Sequence, residues 1–209
     1  MTDEEWTELI QQAVQAEWDQ FQEVNNEGGP ANCQGNWPVF FQMRASQFLT
    51  WNPELLSSYV VDLAQARETG RNLLTEKYGL MMDSTDHEYF QANLEDYMPR
   101  ISTARRKQQE TIIAQQLAWA VDFHEQWPHL GENMRVLRTA DDTRDTTSFE
   151  TYLRAELTTY SQQTLDLYQR LIESIAHEGR NITEMTVLNT VRMGGFESLA
   201  AADAAQVGA

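Results

Sequence analysis

The sequence predicts an all-α protein, a compact multi-helix bundle built from two pseudo-symmetric helical halves. Three observations predict it. Apolar residues recur at three- and four-residue steps along most of the chain, the spacing of amphipathic helices. No segment shows the two-residue alternation of a half-buried strand. A Gly-Arg-Asn word occurs twice, as Gly70-Arg71-Asn72-Leu73-Leu74-Thr75-Glu76 and, one residue shorter and 109 positions on, as Gly179-Arg180-Asn181-Ile182-Thr183-Glu184.

The first helix opens at Thr2, which forms a capping-box pattern with Glu5. Trp6, Leu9, Ile10, Ala13, Val14, Trp18 and Phe21 form its stripe. Glu17 falls on or beside that stripe, uncommon for a carboxylate unless it is paired. Residues 25–38 read as a polar Gly- and Pro-containing loop that carries Cys33. A helix over Val39–Phe48 would set Arg44 on one face with Phe41, Ala45 and Phe48. Asn52-Pro53 caps the next helix, which runs to a stop at Gly70.

A helix over 73–83 puts Glu76 among Leu73 and Leu80. Residues 84–100 read as a short connecting helix, capped by Thr85 with Glu88 and ended by Pro99. A long helix follows from 102 to 126, with His124 on its apolar stripe, and Trp127-Pro128 stops it. Residues 128–147 read as a second long loop. Helices from 148, then to Gly179, and over 183–193 complete the set, the last holding Glu184 in line with Val187, Leu188 and Val191. One helical domain over 1–198 is expected, with repeat halves at 1–83 and 102–193 and a flexible tail over 199–209.

The similarity between halves extends beyond the Gly-Arg-Asn word. Met43-Arg44-Ala45 matches Leu153-Arg154-Ala155, and Leu56, Tyr59 and Leu63 match Leu165, Tyr168 and Ile172.

Composition narrows the function classes. The net charge of −17 disfavours nucleic acid and anionic membrane surfaces as partners. No apolar run approaches the length of a membrane span, and the acidic start Thr2-Asp3-Glu4-Glu5 does not read as a secretory signal. Cys33 is the single cysteine, so no internal disulfide forms and a cytoplasmic setting is expected. No metal-ligand spacing and no phosphate-cradling glycine loop is present, so no metal or cofactor is expected.

The candidate chemistry lies in charged residues on apolar faces. Each half sets an arginine and a glutamate among apolar neighbours, Arg44 with Glu76 and Arg154 with Glu184. As structure, these form two buried ion pairs, within or across the halves, that fix the packing. As function, they line a pocket between the halves for a small organic ligand. Arginine would then hold a carboxylate or phosphate by its planar fork, and a glutamate in an apolar setting would serve as acid or base. The candidate catalytic residues are Glu76, Glu184, His124 and Cys33, and the candidate ligand-binding residues are Glu17, Arg44, Arg154, Trp37 and Tyr78. The contrasting expectation is a non-catalytic helical adaptor that binds another protein. As helix punctuation, Gly closes one helix and Asn181 with Glu184 caps the next.

Several words resemble an uncharacterised bacterial domain-of-unknown-function family of roughly 200-residue helical proteins. They are Val24-Asn25-Asn26-x-Gly28-Gly29, Ala31-x-Cys33-Gln34, Met43-Arg44-x-Ser46-Gln47, Gly70 to Tyr78, and Thr147 to Arg154. The resemblance spans nearly the whole chain. It implies a soluble bacterial protein and no particular activity.

Overall fold

The computed structural model describes residues 1–24 and 34–207. Among them are eleven α-helices and no strand: α1 (Asp3–Gln22), α2 (Trp37–Phe48), α3 (Pro53–Glu68), α4 (Leu73–Thr85), α5 (His87–Asn93), α6 (Thr103–Gln126), α7 (Pro128–Glu132), α8 (Phe149–Thr159), α9 (Gln162–His177), α10 (Ile182–Met193) and α11 (Leu199–Ala205). The all-α expectation holds. The only bridge among the described residues joins Thr143 and Thr146 in a turn.

Side-chain caps set most of the boundaries. Thr2 and Glu5 form the reciprocal capping box that starts α1. Asn36, Asn52, Ser102, Ser148 and Ser161 each accept a first-turn N–H of the following helix. Asp86 caps α5, not the expected Thr85 with Glu88, because its carboxylate accepts from the Tyr89 N–H.

Both Gly-Arg-Asn turns have the same construction. Gly70 and Gly179 take positive φ, 71° and 66°. The next N–H reaches back to the helix that has just ended, Arg71 to the Ala66 carbonyl and Arg180 to the Ile175 carbonyl. Asn72 and Asn181 then cap α4 and α10. Each asparagine also donates its Nδ2 to a helix in the same half of the sequence, Asn72 to the Gln20 carbonyl of α1 and Asn181 to the Trp119 carbonyl of α6. The turns therefore staple helices together besides reversing the chain. No side-chain bond from Glu184 returns to Asn181, so the expected capping box keeps only one arm.

Helix packing follows an orderly scheme. Helix α1 packs against α2, α3 and α4, and α6 against α8, α9 and α10. Helix α2 lies on α10, α8 lies on α4, and α3 meets α9. The main core fills the space between them with Phe21, Phe48, Leu55, Leu56, Leu63, Ile112, Leu157 and Leu165, all essentially without solvent exposure. A smaller cluster of Phe123, Val191, Leu199 and Ala202 sits at the end formed by α6, α7, α10 and α11. The expected frayed tail is in part helix α11, whose Leu199 and Ala202 are buried in that cluster. The second expected long loop contains α7 and a 3-10 turn at Thr139–Asp141.

An L-residue in the left-handed region costs about 1–2 kcal/mol. Gly179→Ala, with open space around the added methyl, is therefore expected to lower unfolding free energy by about 1 kcal/mol. Urea denaturation measures this, and an unchanged midpoint would mean that the turn relaxes without cost.

Candidate functional site

Five helices bring their charged and phenolic side chains into one buried network. Arg44 of α2 is at its centre. Its Nε and Nη2 donate to the two carboxylate oxygens of Glu17 on α1, at 2.5 and 2.6 Å. Nη2 also reaches Glu156 Oε1 of α8 at 3.1 Å, and Nη1 donates to Gln47 Oε1 at 2.6 Å. Tyr59 of α3 donates its hydroxyl to Glu17 at 2.6 Å, and Tyr160, just past α8, donates to Glu156 at 3.0 Å. Lys77 of α4 donates to the Tyr152 hydroxyl at 2.9 Å and stands 3.8 Å from Glu156 Oε2. Glu17 has no solvent exposure and Lys77 has 3%.

Two cations and two carboxylates make the network neutral. Burial acts against the charge on Arg44, yet the Glu17 and Glu156 carboxylates override it and raise its pKa further. Burial likewise opposes ionisation of Glu156, but Arg44 and Lys77 pull its pKa down to about 2. Lys77 is held protonated against its burial by Tyr152 and Glu156. Burial, and then the adjacent carboxylates, push the Tyr59 and Tyr160 phenols up, so both stay neutral donors. The ionic groups are thus compensated within a packed core.

The two arginines of the matched words, Arg44 and Arg154, occupy unlike places. A constant offset of 109 sets Phe48 opposite Leu157 and Trp51 opposite Tyr160. At that offset Arg44 falls opposite Leu153, so Arg154 lies one residue, about 100°, further round its helix. It leaves the core, is 28% exposed, and forks onto Glu110 at 2.7 and 3.0 Å and onto Glu150 at 2.8 Å. Neither arginine pairs with Glu76 or Glu184, within a half or across the halves. Glu76 is turned to Arg71 of its own Gly-Arg-Asn turn, with two bonds of 2.7 Å. Glu184 is half-buried on α10 and has no ion pair among the described residues.

The remaining candidates are dispersed. His124 closes the corner between α6 and α7, where a methyl added at Gly131 would lie 2.9 Å from its ring. Burial lowers its pKa, and its Nε2 is buried without a partner. Trp37 meets Trp18 edge-on at 5.3 Å and, with Phe41, borders a shallow hollow on α1 and α2. Tyr78 packs near Phe21 and lies under Lys77. Cys33 lies outside the described residues. Among the described residues no group of three His, Cys, Asp or Glu is arranged to hold a metal ion.

Sequence reasoning missed Glu156 and Lys77. The signal was available. Glu156 lies four residues from both Tyr152 and Tyr160, and Lys77 lies three and four residues after Leu74 and Leu73. The test that singled out Glu17, a charge on an apolar stripe, also singles out these two.

A cleft of about 600 Å³ opens beside the α4–α8 joint. Thr151, Arg154, Ala155 and Thr158 form one wall, at the helical spacing of a single α8 face. Leu80, Asp83 and Ser84 of α4 form the facing wall. The segment from Glu95 to Ile101 and Arg106 of α6 close it. A smaller groove of about 320 Å³, bordered by Asp62, Arg71 and Arg105, shares Pro99, Arg100 and Ile101 with the cleft. Gly79 positions this strap, because a methyl there would lie 2.9 Å from the Met98 sulfur. Asp142 fastens the loop beside the cleft by accepting from Ser84 and Thr151 hydroxyls at 2.5 Å and from the Ser148 N–H at 2.6 Å. Burial opposes the Asp142 charge, and these bonds overcome it and lower the pKa.

The arrangement defines a helical protein with a closed ionic core and a separate arginine-bordered cleft. A family model described as a protein of unknown function, DUF4125, matches residues 7–204, and the chain belongs to that family. Neither the curated proteins nor the solved structures contain a match to the chain. No helix among the described residues is long and apolar enough to cross a membrane.

Removing one partner of a buried pair costs about 3–5 kcal/mol, whereas exposed pairs contribute about 0–1 kcal/mol. Arg44→Met is therefore expected to destabilise the protein by about 3 kcal/mol or more, and Arg154→Met by about 1 kcal/mol or less. Urea unfolding of the two variants tests the asymmetry. Equal losses would contradict the placement of Arg44 alone in the core.

Proposed function

We propose that the protein binds a small organic molecule in the cleft between α4, α6 and α8. The supporting observation is the distribution of charge. The chain has 15 Lys and Arg against 32 Asp and Glu. Among the residues that line the cleft and its adjoining groove the balance inverts, with Arg71, Arg100, Arg105, Arg106 and Arg154 against Asp62, Asp83 and Glu95, while Glu76, Asp96, Glu110 and Glu150 outside the lining pair with Arg71, Arg100 and Arg154. The cleft volume falls in the range of about 300–1,000 Å³ usual for small-molecule sites. Its walls are also braced against each other, since Lys77 of α4 stands 3.8 Å from Glu156 of α8. A site on rigid elements holds its geometry well.

The proposal moves the expected pocket. Of the candidate residues that the structure describes, only Arg154 borders the cleft. Arg44 and Glu17 serve instead as its foundation. Matched contacts support an internal duplication beneath this design. Tyr59 bonds Glu17 and Tyr168 bonds Gln116, as Asn72 bonds Gln20 and Asn181 bonds Trp119. The acidic charge and single cysteine support a cytoplasmic setting.

A second reading, a protein-interaction module, draws on the exposed Val39 and Met43 of α2 and Met193 of α10. These apolar side chains sit on two helices that pack together.

Screening a fragment library against isotope-labelled protein by amide chemical shifts separates the two. Binding in the cleft moves amides of α4, residues 94–101 and α8, and Leu80→Trp, which fills the cleft, removes the shifts. Hits confined to the α2–α10 face would contradict the proposal.

A further inference from the structure

We propose that the ligand of this cleft is an amphipathic monocarboxylate, its carboxylate held by Arg106 with Arg100 and its apolar body laid on Leu80, Phe90, Met98 and Ile101. The inference rests on the cleft being a binding site and adds the class of ligand.

The state of each arginine identifies the anchor. Arg154 is spent, because Glu110, Glu150 and Thr139 take its fork. Arg105 borders the adjoining groove and not the cleft, its Nη2 donating to the Leu157 and Tyr160 carbonyls at the end of α8, and Arg71 is spent on Glu76. Arg106 is exposed, borders the cleft, and its side chain has no hydrogen bond or ion pair among the described residues. Arg100 has one partner, Asp96 at 3.2 Å on the same strap, with both side chains more than 80% exposed. Such a pair is weak and yields readily to a better-desolvated anion. Two available guanidinium forks at one mouth match the planar geometry of a carboxylate.

Charge decides between one negative charge and two. Glu110 and Glu150 compensate Arg154, and Asp96 compensates Arg100, so among the described residues Arg106 is the one cation bordering the cleft that has no ion pair. Asp83 is engaged by His87 Nδ1 at 2.8 Å, and the Glu95 side chain has no partner among the described residues. One carboxylate matches that single cation. A phosphate dianion would overshoot it and meet Glu95 as a like charge. The apolar share of the lining points to a body attached to that head. Leu80, Phe90 and Ile101 are rigid, and Met98, whose sulfur sits in the Gly79 notch, is an adaptable surface.

Calorimetric titration of the full chain with sodium octanoate, 1-octanol, octylamine and octyl phosphate tests the proposal. Octanoate is expected to bind one to one, about 10-fold or more tighter than octanol, the effect of a charge-assisted hydrogen bond. Arg106→Gln should weaken octanoate by about 10-fold and leave octanol unchanged. Arg192→Gln, an exposed arginine of α10 away from the cleft, should change neither. Glu95→Gln should tighten octanoate. Octanol binding as tightly as octanoate would overturn the carboxylate while leaving the cleft as a binding site. Octyl phosphate binding tighter than octanoate would overturn the monoanion in the same way. Failure of all four ligands, or binding unaffected by Leu80→Trp, would overturn the carboxylate proposal and the cleft together.

Discussion

The rest of the structure depends on one requirement: four charges removed from water must neutralise one another in place. Glu17, Arg44, Lys77 and Glu156 come from α1, α2, α4 and α8, and none can leave the network without stranding a partner. Taking such groups from water costs several kcal/mol per ion, so only an arrangement that pairs them all is tolerated. Apolar packing alone accepts many near-equivalent helix registers. A fixed fork of hydrogen bonds from Arg44 to two carboxylates does not. The network therefore acts as the registration mark of the bundle, and the aromatic shell of Phe48, Trp51, Tyr59, Tyr160 and Tyr168 seals it from water.

That registration has a consequence on the outer surface. Residues 152, 156 and 160 of the α8 segment turn inward, so Thr151, Arg154, Ala155 and Thr158 turn to the cleft. The same helix anchors the core with one face and builds a ligand wall with another. The Met98 strap and the Asp142 knot complete that wall from the loops. A rigid foundation with a loop-built rim is a common way to place a binding site.

The helices were largely legible from the sequence, because apolar spacing and capping residues act locally. Thr2, Asn52 and Asn181 cap where their positions foretell. The site was legible only in part. Glu17 and Arg44 stand out as charges on apolar stripes, and they do meet. Their third partner, Glu156, was hidden by the match of Met43-Arg44-Ala45 to Leu153-Arg154-Ala155. A one-residue difference in helix phase turns Arg154 outward and sets Glu156 inward, and a word match does not report phase. The cleft was invisible for another reason. Its lining comes from α4, α5, α6, α8 and two connecting segments, each contributing one to five residues with no local pattern.

The most direct test of the ionic core is the titration of the Glu156 carboxyl carbon by NMR. A pKa near 2 is expected in place of the ordinary 4.5. With the folded value depressed, the stability this group supplies is present above pH 4.5 and disappears as the pH falls towards 2. A carboxyl that titrates at or above 4.5 would contradict the account, because Glu156 would then not be the ionised partner that Arg44 and Lys77 require.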